Sequence, residues 1–410
     1  MKTFPAIILA ALIISGCAQK ETKSTPDKSK VTLGSIDSLE SKILKEQRKI
    51  WVYTPPDTTR KYPLVVLLDG DGHYSSVVGM IQQLSTVNGN TILPEMVIVA
   101  IPNTDRTRDL TPTHVDAAFG DSTFVKTSGG AENFAMFMRD ELFPYVEKKY
   151  PVTSYRTLIG HSFGGLFVIN TLVHHPEMFN NYLAIDPSMW WDERKLTTQA
   201  LEAFSKNDYT NKHLFVAVAN TMNEGQTVES VKNDTAEATF HIRSIMHFNE
   251  QVQKLKTGLG FSSKYYGDDD HSSVPLIATY DGLRGFFHWY NMKAFNKYYD
   301  KASTATPQEM ITHIKQHYEN ISKHYGYTQL PAEGSMNSMG YGFMFNKMPE
   351  RAFACFDLNL QNYPKSANAH DSMGDYYLSV KDTVHAKEYF NKALAIQPLD
   401  YTKDKLSKLK

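Results

Sequence analysis

Only two cysteines, Cys17 and Cys355, occur in the 410 residues. Two cysteines close at most one disulfide, so a stapled scaffold is excluded and stability has to come from buried apolar area. An excess of one charge sign is also lacking: 43 basic side chains stand against 44 acidic ones, a formal net charge of −1. No Lys/Arg run breaks that balance, and without a basic stripe nucleic acid is not an expected partner. No Cys/His set has the spacing of a zinc site. Asp69-Gly70-Asp71-Gly72-His73 begins like a calcium loop, but His73 holds its fifth position and Met80 its twelfth, where an acidic ligand is needed. Neither a metal nor a cofactor is therefore expected. Aromatic side chains, by contrast, make up 12% of the chain, which suits a packed core or an aromatic-lined cleft.

Apolar runs of membrane-spanning length are lacking too. Near the start, Lys2 precedes a short apolar run from Ala6 to Ile14, too short to cross a bilayer as a helix. The run ends in Ile14-Ser15-Gly16-Cys17, which resembles the lipobox of bacterial lipoprotein signals. That resemblance implies cleavage after residue 16, lipid on Cys17, and an exported protein held on a membrane, facing the periplasm or the cell surface. Lipid on Cys17 would leave Cys355 without a disulfide partner. Residues 18–34 are polar and read as a flexible tether.

Beyond the tether, apolar strand-like runs alternate with helical patterns. Trp51-Val52-Tyr53, Leu64-Val65-Val66-Leu67-Leu68, Met96 to Ile101, Tyr182 to Ile185, Leu214 to Val218 and residues 263–266 read as strands. Residues 131–149 and 236–258 read as helices. That alternation predicts an α/β fold with a mainly parallel sheet covered on both faces. Within it, Gly160-His161-Ser162-Phe163-Gly164 reads G-x-S-x-G. Thr157-Leu158-Ile159 before it is β-prone, and Gly165 to Val173 after it is apolar enough for a buried helix. Strand, tight turn and helix are the context of a nucleophile elbow, with Ser162 as the nucleophile.

A serine hydroxyl needs a base, and in this fold class the order along the chain is Ser, acid, His. His271 follows the strand at 263–266 in a loop of Asp268, Asp269 and Asp270, and is the expected base. His174, His175, His213, His241 and His247 fall on helices or strand starts, where surface or packing roles are expected. The acid should follow the strand at 214–218; Glu224 fits, with Glu229 and Asp234 as rivals. Phe163 N–H, at a helix start, is one expected oxyanion donor. Asp71 N–H, after Gly70, is the other.

After about residue 290 the pattern changes. Residues 307–325 form an amphipathic helix with Pro307 at its start. Gly340 and Gly374, Ala352 and Ala386, Phe356 and Phe390, Leu360 and Leu394, and Pro364 and Pro398 are each 34 residues apart. This period resembles tetratricopeptide repeats. Two such units present a concave groove suited to a protein or peptide partner, with the 307–325 helix expected to cap them or dock them onto the first domain. The expected organisation is a signal at 1–17, a tether at 18–34, a hydrolase domain at 35–295 and a helical domain at 305–410.

Several stretches resemble one esterase family of α/β-hydrolases, which includes enterobactin and salmochelin esterases, feruloyl and acetyl-xylan esterases, S-formylglutathione hydrolases and mycolyltransferases. They are Tyr62 to Gly70, Gly160 to Gly165, Asp186-Pro187-Ser188-Met189-Trp190-Trp191, and Asn103 to Pro112, the last closest to the siderophore-esterase branch. The resemblance implies an α/β-hydrolase fold over about residues 40–290, with Ser162 as nucleophile, His271 as base, and Phe163 and Asp71 as oxyanion donors. Glu224 sits where the mycolyltransferases have their acid, while a Ser-His dyad is the siderophore-esterase alternative. Trp190 and Trp191 would line a cleft, and Arg106 and Arg108 would meet an anionic substrate or pair with Asp105 or Asp109. A serine esterase acting on a siderophore ester or acylated glycan is the leading expectation. An acyltransferase with the same serine, and an interaction protein on a hydrolase scaffold, are the alternatives.

Overall fold

Leu64, Val66 and Leu68 point to one side of a sheet and Val65 and Leu67 to the other, and all five are buried. A strand buried on both faces belongs in the middle of a helix-covered parallel sheet, and that is where the computed structural model places it. The model describes residues 31–409. Cys17, its signal and most of the tether lie outside the described residues. From Gly34 onward the chain folds as one compact unit.

The sheet is built from β1 (Ser35–Ser41), β2 (Glu46–Tyr53), β3 (Tyr62–Leu67), β4 (Val97–Ala100), β5 (Val152–His161), β6 (Asn181–Ile185), β7 (His213–Ala219) and β8 (Gly260–Tyr266). Their order is β1-β2-β4-β3-β5-β6-β7-β8. The hairpin of β1 and β2 is antiparallel, and β2 meets β4 antiparallel; β3 to β8 are parallel. Helices α1 (Gly70–Ser85), α2 (Arg106–Leu110), α3 (Ala131–Phe137), α4 (Phe143–Lys149), α5 (Phe163–His174), α6 (Trp191–Lys206), α7 (Val228–Lys232) and α8 (Phe240–Lys254) connect them, and α9 (Val274–Phe286) follows β8. A π-turn at Met138–Leu142 joins α3 to α4, just before Pro144, whose missing N–H would break a regular helix there. The expected α/β architecture is thus observed, with one addition. The edge strand β1 lies in a stretch too polar to read as a strand.

After β3 the chain crosses through α1 to β4 on one side, and then returns to β5 on the other side of β3. Residues of α1 and α9 pack on one face of the sheet, and those of α3, α5, α6 and α8 on the other. Neighbouring strands whose connections leave in opposite directions open a crevice at their carboxyl ends. Here that crevice lies between the loop after β3 and the turn after β5.

The chain continues in α10 (Pro307–Tyr325), α11 (Glu333–Phe345), α12 (Pro349–Asn362), α13 (Ala367–Ser379), α14 (Thr383–Ile396) and α15 (Asp400–Ser407). Thr306 and Glu309 form a capping box ahead of α10, and Gly326 ends it at φ 75°. α10 has two apolar ends. Met310, Ile311 and Ile314 join the core of the helical hairpins, while Ile321 and Tyr325 join the core beneath the sheet. There the Tyr325 ring lies 5.1 Å from Tyr155 of β5, and His324 stacks on Trp289 at 4.2 Å. In the hairpins, Gly340 faces Phe356, and 34 residues on Gly374 faces Phe390. A methyl group on either glycine would come within 2.5 Å or 2.4 Å of the opposing ring, so the helices can approach only without one.

Candidate active site

Ser162 sits between β5 and α5 at φ 59°, ψ −115°, outside the regions a non-glycine residue ordinarily adopts. Such a backbone costs on the order of 1–3 kcal/mol and persists only where the surroundings hold it. Here Ser162 N donates to Ile185 O at 2.9 Å, and Ser162 O accepts from Leu166 N at 2.9 Å and Ser188 N at 3.1 Å. The flanking glycines are required by contact. A Cβ on Gly160 would lie 2.4 Å from the Gly164 carbonyl, and one on Gly165 2.9 Å from Pro187 Cα. Ser162 Oγ is 3.4 Å from Ser188 Oγ.

Because β6 pairs with β5 in register, His161 opposite Ile185, the residue after β6 lies beside the serine. That residue is Asp186, fully buried and at φ 41°. Its Oδ1 accepts Ala219 N–H at 2.9 Å. Its Oδ2 lies 2.6 Å from His271 Nδ1 and 2.8 Å from His241 Nε2. Burial alone would raise the Asp186 carboxyl, but the bonds from His241, His271 and Ala219 outweigh it and hold it well below the usual carboxylate range. His271 stays part-exposed in a loop pinned by Asp270, whose Oδ1 accepts the N–H groups of Ser272 and Ser273 at 2.8 and 2.9 Å. Asp270 thus caps the loop, and Asp269 accepts Ser273 Oγ at 2.9 Å. The ring of His161, next to the serine, lies 4.4 Å from that of His271. Burial, then the neighbouring His271 and His73, lower the pKa of His161 to about 4, so it is neutral at neutral pH.

The carboxylate facing His271 is therefore Asp186, not Glu224. Glu224 is exposed and has no hydrogen bond among the described residues. Of its two rivals, Glu229 is exposed and Asp234 bonds Gln226 and Thr239. Along the chain the three groups run Ser162, Asp186, His271, with the carboxylate one strand earlier than Glu224, because strand register and not chain distance sets what adjoins Ser162. Asp186 heads the family-like stretch Asp186 to Trp191, but its side chain's partner is not legible there; only its place directly after a buried strand beside Ser162 reveals it.

Phe163 N and Asp71 N both lie in the first turn of a helix, α5 and α1, where N–H groups have no acceptor within the helix. The turn into α1 is made by Asp69, at φ 51°, rather than by Gly70. Gly70 is needed for a different reason: a Cβ there would lie 2.8 Å from Ile101 N on the neighbouring connection. Asp69 is clamped by Asn103 Nδ2 at 2.7 Å and by Arg106 Nε and Nη2 at 2.6 and 3.0 Å. Arg106 Nη2 also donates to His161 O at 3.0 Å, tying the loop after β3 to the end of β5. Arg108 pairs with Glu46 at 2.8 Å and with Asp109 at 2.7 Å. Of the two expectations, an anionic substrate or an ion pair with Asp105 or Asp109, Arg108 shows the pair with Asp109, and Arg106 pairs with Asp69, which neither expectation named.

A sequence profile for putative esterases matches residues 41–273. The chain belongs to this esterase family. Among curated proteins, the chain is 33% identical over 149 residues to the siderophore enterobactin esterase of Emericella nidulans, a match covering 33% of this chain and 49% of that protein. It is 27% identical over 250 residues to the ferri-bacillibactin esterase BesA of Bacillus subtilis, covering 57% and 82%. The chain thus spans about half the length of the first of these and most of the second. Among solved structures, the IroE-like serine hydrolase of Shewanella oneidensis is 30% identical with a TM-score of 0.66, covering 80% of this chain and 99% of that one. An uncharacterised protein of Capnocytophaga ochracea, 17% identical with a TM-score of 0.57, covers 92% and 99%, and so shares the fold through the helical region.

A groove of about 670 Å³ is lined by His114, Phe119, Trp190, Glu237 and Phe240 among others. The Trp190 ring is 4.6 Å from Phe119 and 6.0 Å from Phe163. Trp190 is half-buried on the groove wall. Trp191 also lines the groove, though largely buried, with Nε1 donating to Thr113 O at 3.2 Å. Asp186, His241 and His271 also bring three ligand-type atoms within 4.8 Å of one another. The ring nitrogens, however, stand 2.6 and 2.8 Å from one carboxylate oxygen, the distance of N–H···O bonds. A metal would need the lone pairs where these protons lie, so the arrangement fits a proton-bridged carboxylate and not a metal ligand set.

Proposed function

We propose that this protein is a serine esterase that cleaves carboxylic esters through an acyl-enzyme. The observation that carries this reading is the 2.6 Å bond from His271 Nδ1 to buried Asp186, one strand from the strained Ser162 turn. With Nδ1–H committed to Asp186, Nε2 of His271 is the nitrogen left to take the Ser162 proton. Ser162 Oγ then attacks the ester carbonyl. Asp186 stabilises the imidazolium by charge, and Phe163 N–H and Asp71 N–H receive the oxyanion. Collapse of the tetrahedral intermediate expels the alcohol, protonated by His271, and water repeats the sequence on the acyl-enzyme. In the ground state Ser162 bonds Ser188 instead of His271, a looseness common before substrate binds.

The relatives named for siderophore esters support such a lactone or ester as substrate. The aromatic groove at Trp190 and Phe119 supports an acyl or aryl group lying against apolar walls. Turnover of p-nitrophenyl acetate and butyrate by the full chain, beside Ser162→Ala and His271→Ala, tests the chemistry. Activity in the folded wild type and its loss in both variants is the expected result, and retention in either one refutes the assignment. Enterobactin, free and ferric, and acetylated xylan then test the substrate.

A further inference from the structure

His241 lies on α8, away from the loops that carry Ser162 and His271, yet its Nε2 reaches the same Asp186 oxygen as His271 Nδ1. The two rings stand at 88° to each other with centroids 5.2 Å apart. Asp186 is fully buried, and its carboxylate accepts three hydrogen bonds from three elements: Ala219 N–H at the end of β7, His271 after β8 and His241 on α8.

This geometry has a chemical consequence. A carboxylate with Oδ1 held by one backbone N–H can still rock about its Cβ–Cγ bond. A second donor on Oδ2, approaching from another direction, stops that motion and leaves His271 one lone pair to meet. Both rings must present N–H to Oδ2, which fixes His271 as the Nδ1–H tautomer and leaves Nε2 bare toward the serine. A packing histidine would satisfy itself on a backbone carbonyl or solvent. His241 instead turns its donor onto the buried charge of the site.

We propose that His241 is a positioning residue: by donating Nε2–H to Asp186 it locks the carboxylate that orients His271. The proposal rests on the assignment of Ser162, Asp186 and His271 made above. It adds that a histidine on a helix of the groove wall, next to Phe240, belongs to the same hydrogen-bonded unit.

Three variants separate N–H donation from packing. Gln places its amide nitrogen near where His places Nε2, Asn is too short to reach, and Leu fills space without a donor. In the full chain, kcat for p-nitrophenyl butyrate should fall about tenfold to a hundredfold in His241→Leu and His241→Asn, the loss of one hydrogen bond to a charged group. KM should stay within about twofold, since the lost interaction does not bind substrate. His241→Gln should recover most of kcat. Equal losses in Gln and Asn, or no loss in any variant, would overturn the proposal. If Leu fails to fold, as judged by thermal melting, the Gln and Asn pair decides. Ser162→Ala and His271→Ala run alongside: activity surviving in them sinks the catalytic assignment itself, a result distinct from a silent His241.

Discussion

The esterase half and the helical half of this chain solve opposite problems. In the helical half one contact is made twice: Gly340 against Phe356, and 34 residues later Gly374 against Phe390. In the esterase half nothing repeats. Ser162, Asp186, His241 and His271 come from four different connections and meet once, because the parallel register of β5 to β8 brings the ends of those strands level. A repeated contact announces itself as a period in sequence. A singular site can be read only where its members carry a local signature, and a carboxylate placed by register carries none.

The sharpest way to break that comparison is to exchange the carboxylate found by register for the one suggested by chain order. Asp186→Asn should lower kcat about 10³–10⁴-fold, because an amide forces the wrong histidine tautomer and removes the charge that stabilises imidazolium. Glu224→Ala should leave kcat within about twofold, since Glu224 is exposed and touches nothing in the site. Steady-state kinetics on the two variants decides between them. If Glu224→Ala carried the larger loss, the loop after β7 would have to close over His271 in the working enzyme.

A smaller effect tests the helical half. Gly340→Ala gains helix propensity, about 1 kcal/mol, but its new methyl meets the ring of fully buried Phe356. Overpacking of this kind costs about 1–3 kcal/mol, so the net change should be destabilising. Gly342→Ala, in the same helix with nothing within 4 Å of its Cβ, should stabilise by up to about 1 kcal/mol. Urea unfolding of the two variants, with Gly374→Ala as the repeat's second copy, should place 340 and 374 on one side of wild type and 342 on the other. Ester turnover at saturating substrate should not change in any of them.

Legibility in the sequence follows the same division. The elbow could be read because its glycines, its serine and its flanking strand and helix lie within one short stretch. The central strands could be read because burial on both faces makes them apolar throughout. β1 is hidden by its place: an edge strand with one partner exposes most of its side chains, so Ser35–Ser41 is polar and shows no apolar strand pattern. Arg106 and Arg108 leave two readings open in sequence, substrate ligand or ion pair, and the pair of Arg108 with its neighbour Asp109 is the part that local sequence offers. Their other carboxylates, Asp69 and Glu46, lie far away in sequence. His241 reads in sequence as a helix residue, and it does lie on its helix, but with its side chain turned toward Asp186.

The smallest predicted effect sets a histidine from each half side by side. His161 adjoins the serine and His317 lies on α10, and burial is the leading cause that lowers each to about 4. The unfolded chain binds the proton near pH 6.5, the folded chain only near 4. Between those values the unfolded state holds more protons, so stability is complete above about pH 6.5 and declines as pH falls toward 4. Replacing either histidine with Gln removes one such proton site, and should flatten the fall in urea midpoint between pH 7 and 5 relative to wild type. His161→Gln should also disturb catalysis, because its ring lies against His271, whereas His317→Gln should leave turnover intact. An unchanged pH slope in both variants would mean that other histidines lowered by burial, such as His174 and His213, carry the acid sensitivity in this window. Asp186 does not compete there, because its depressed pKa places its own loss of stability lower, as pH falls through the carboxylate range.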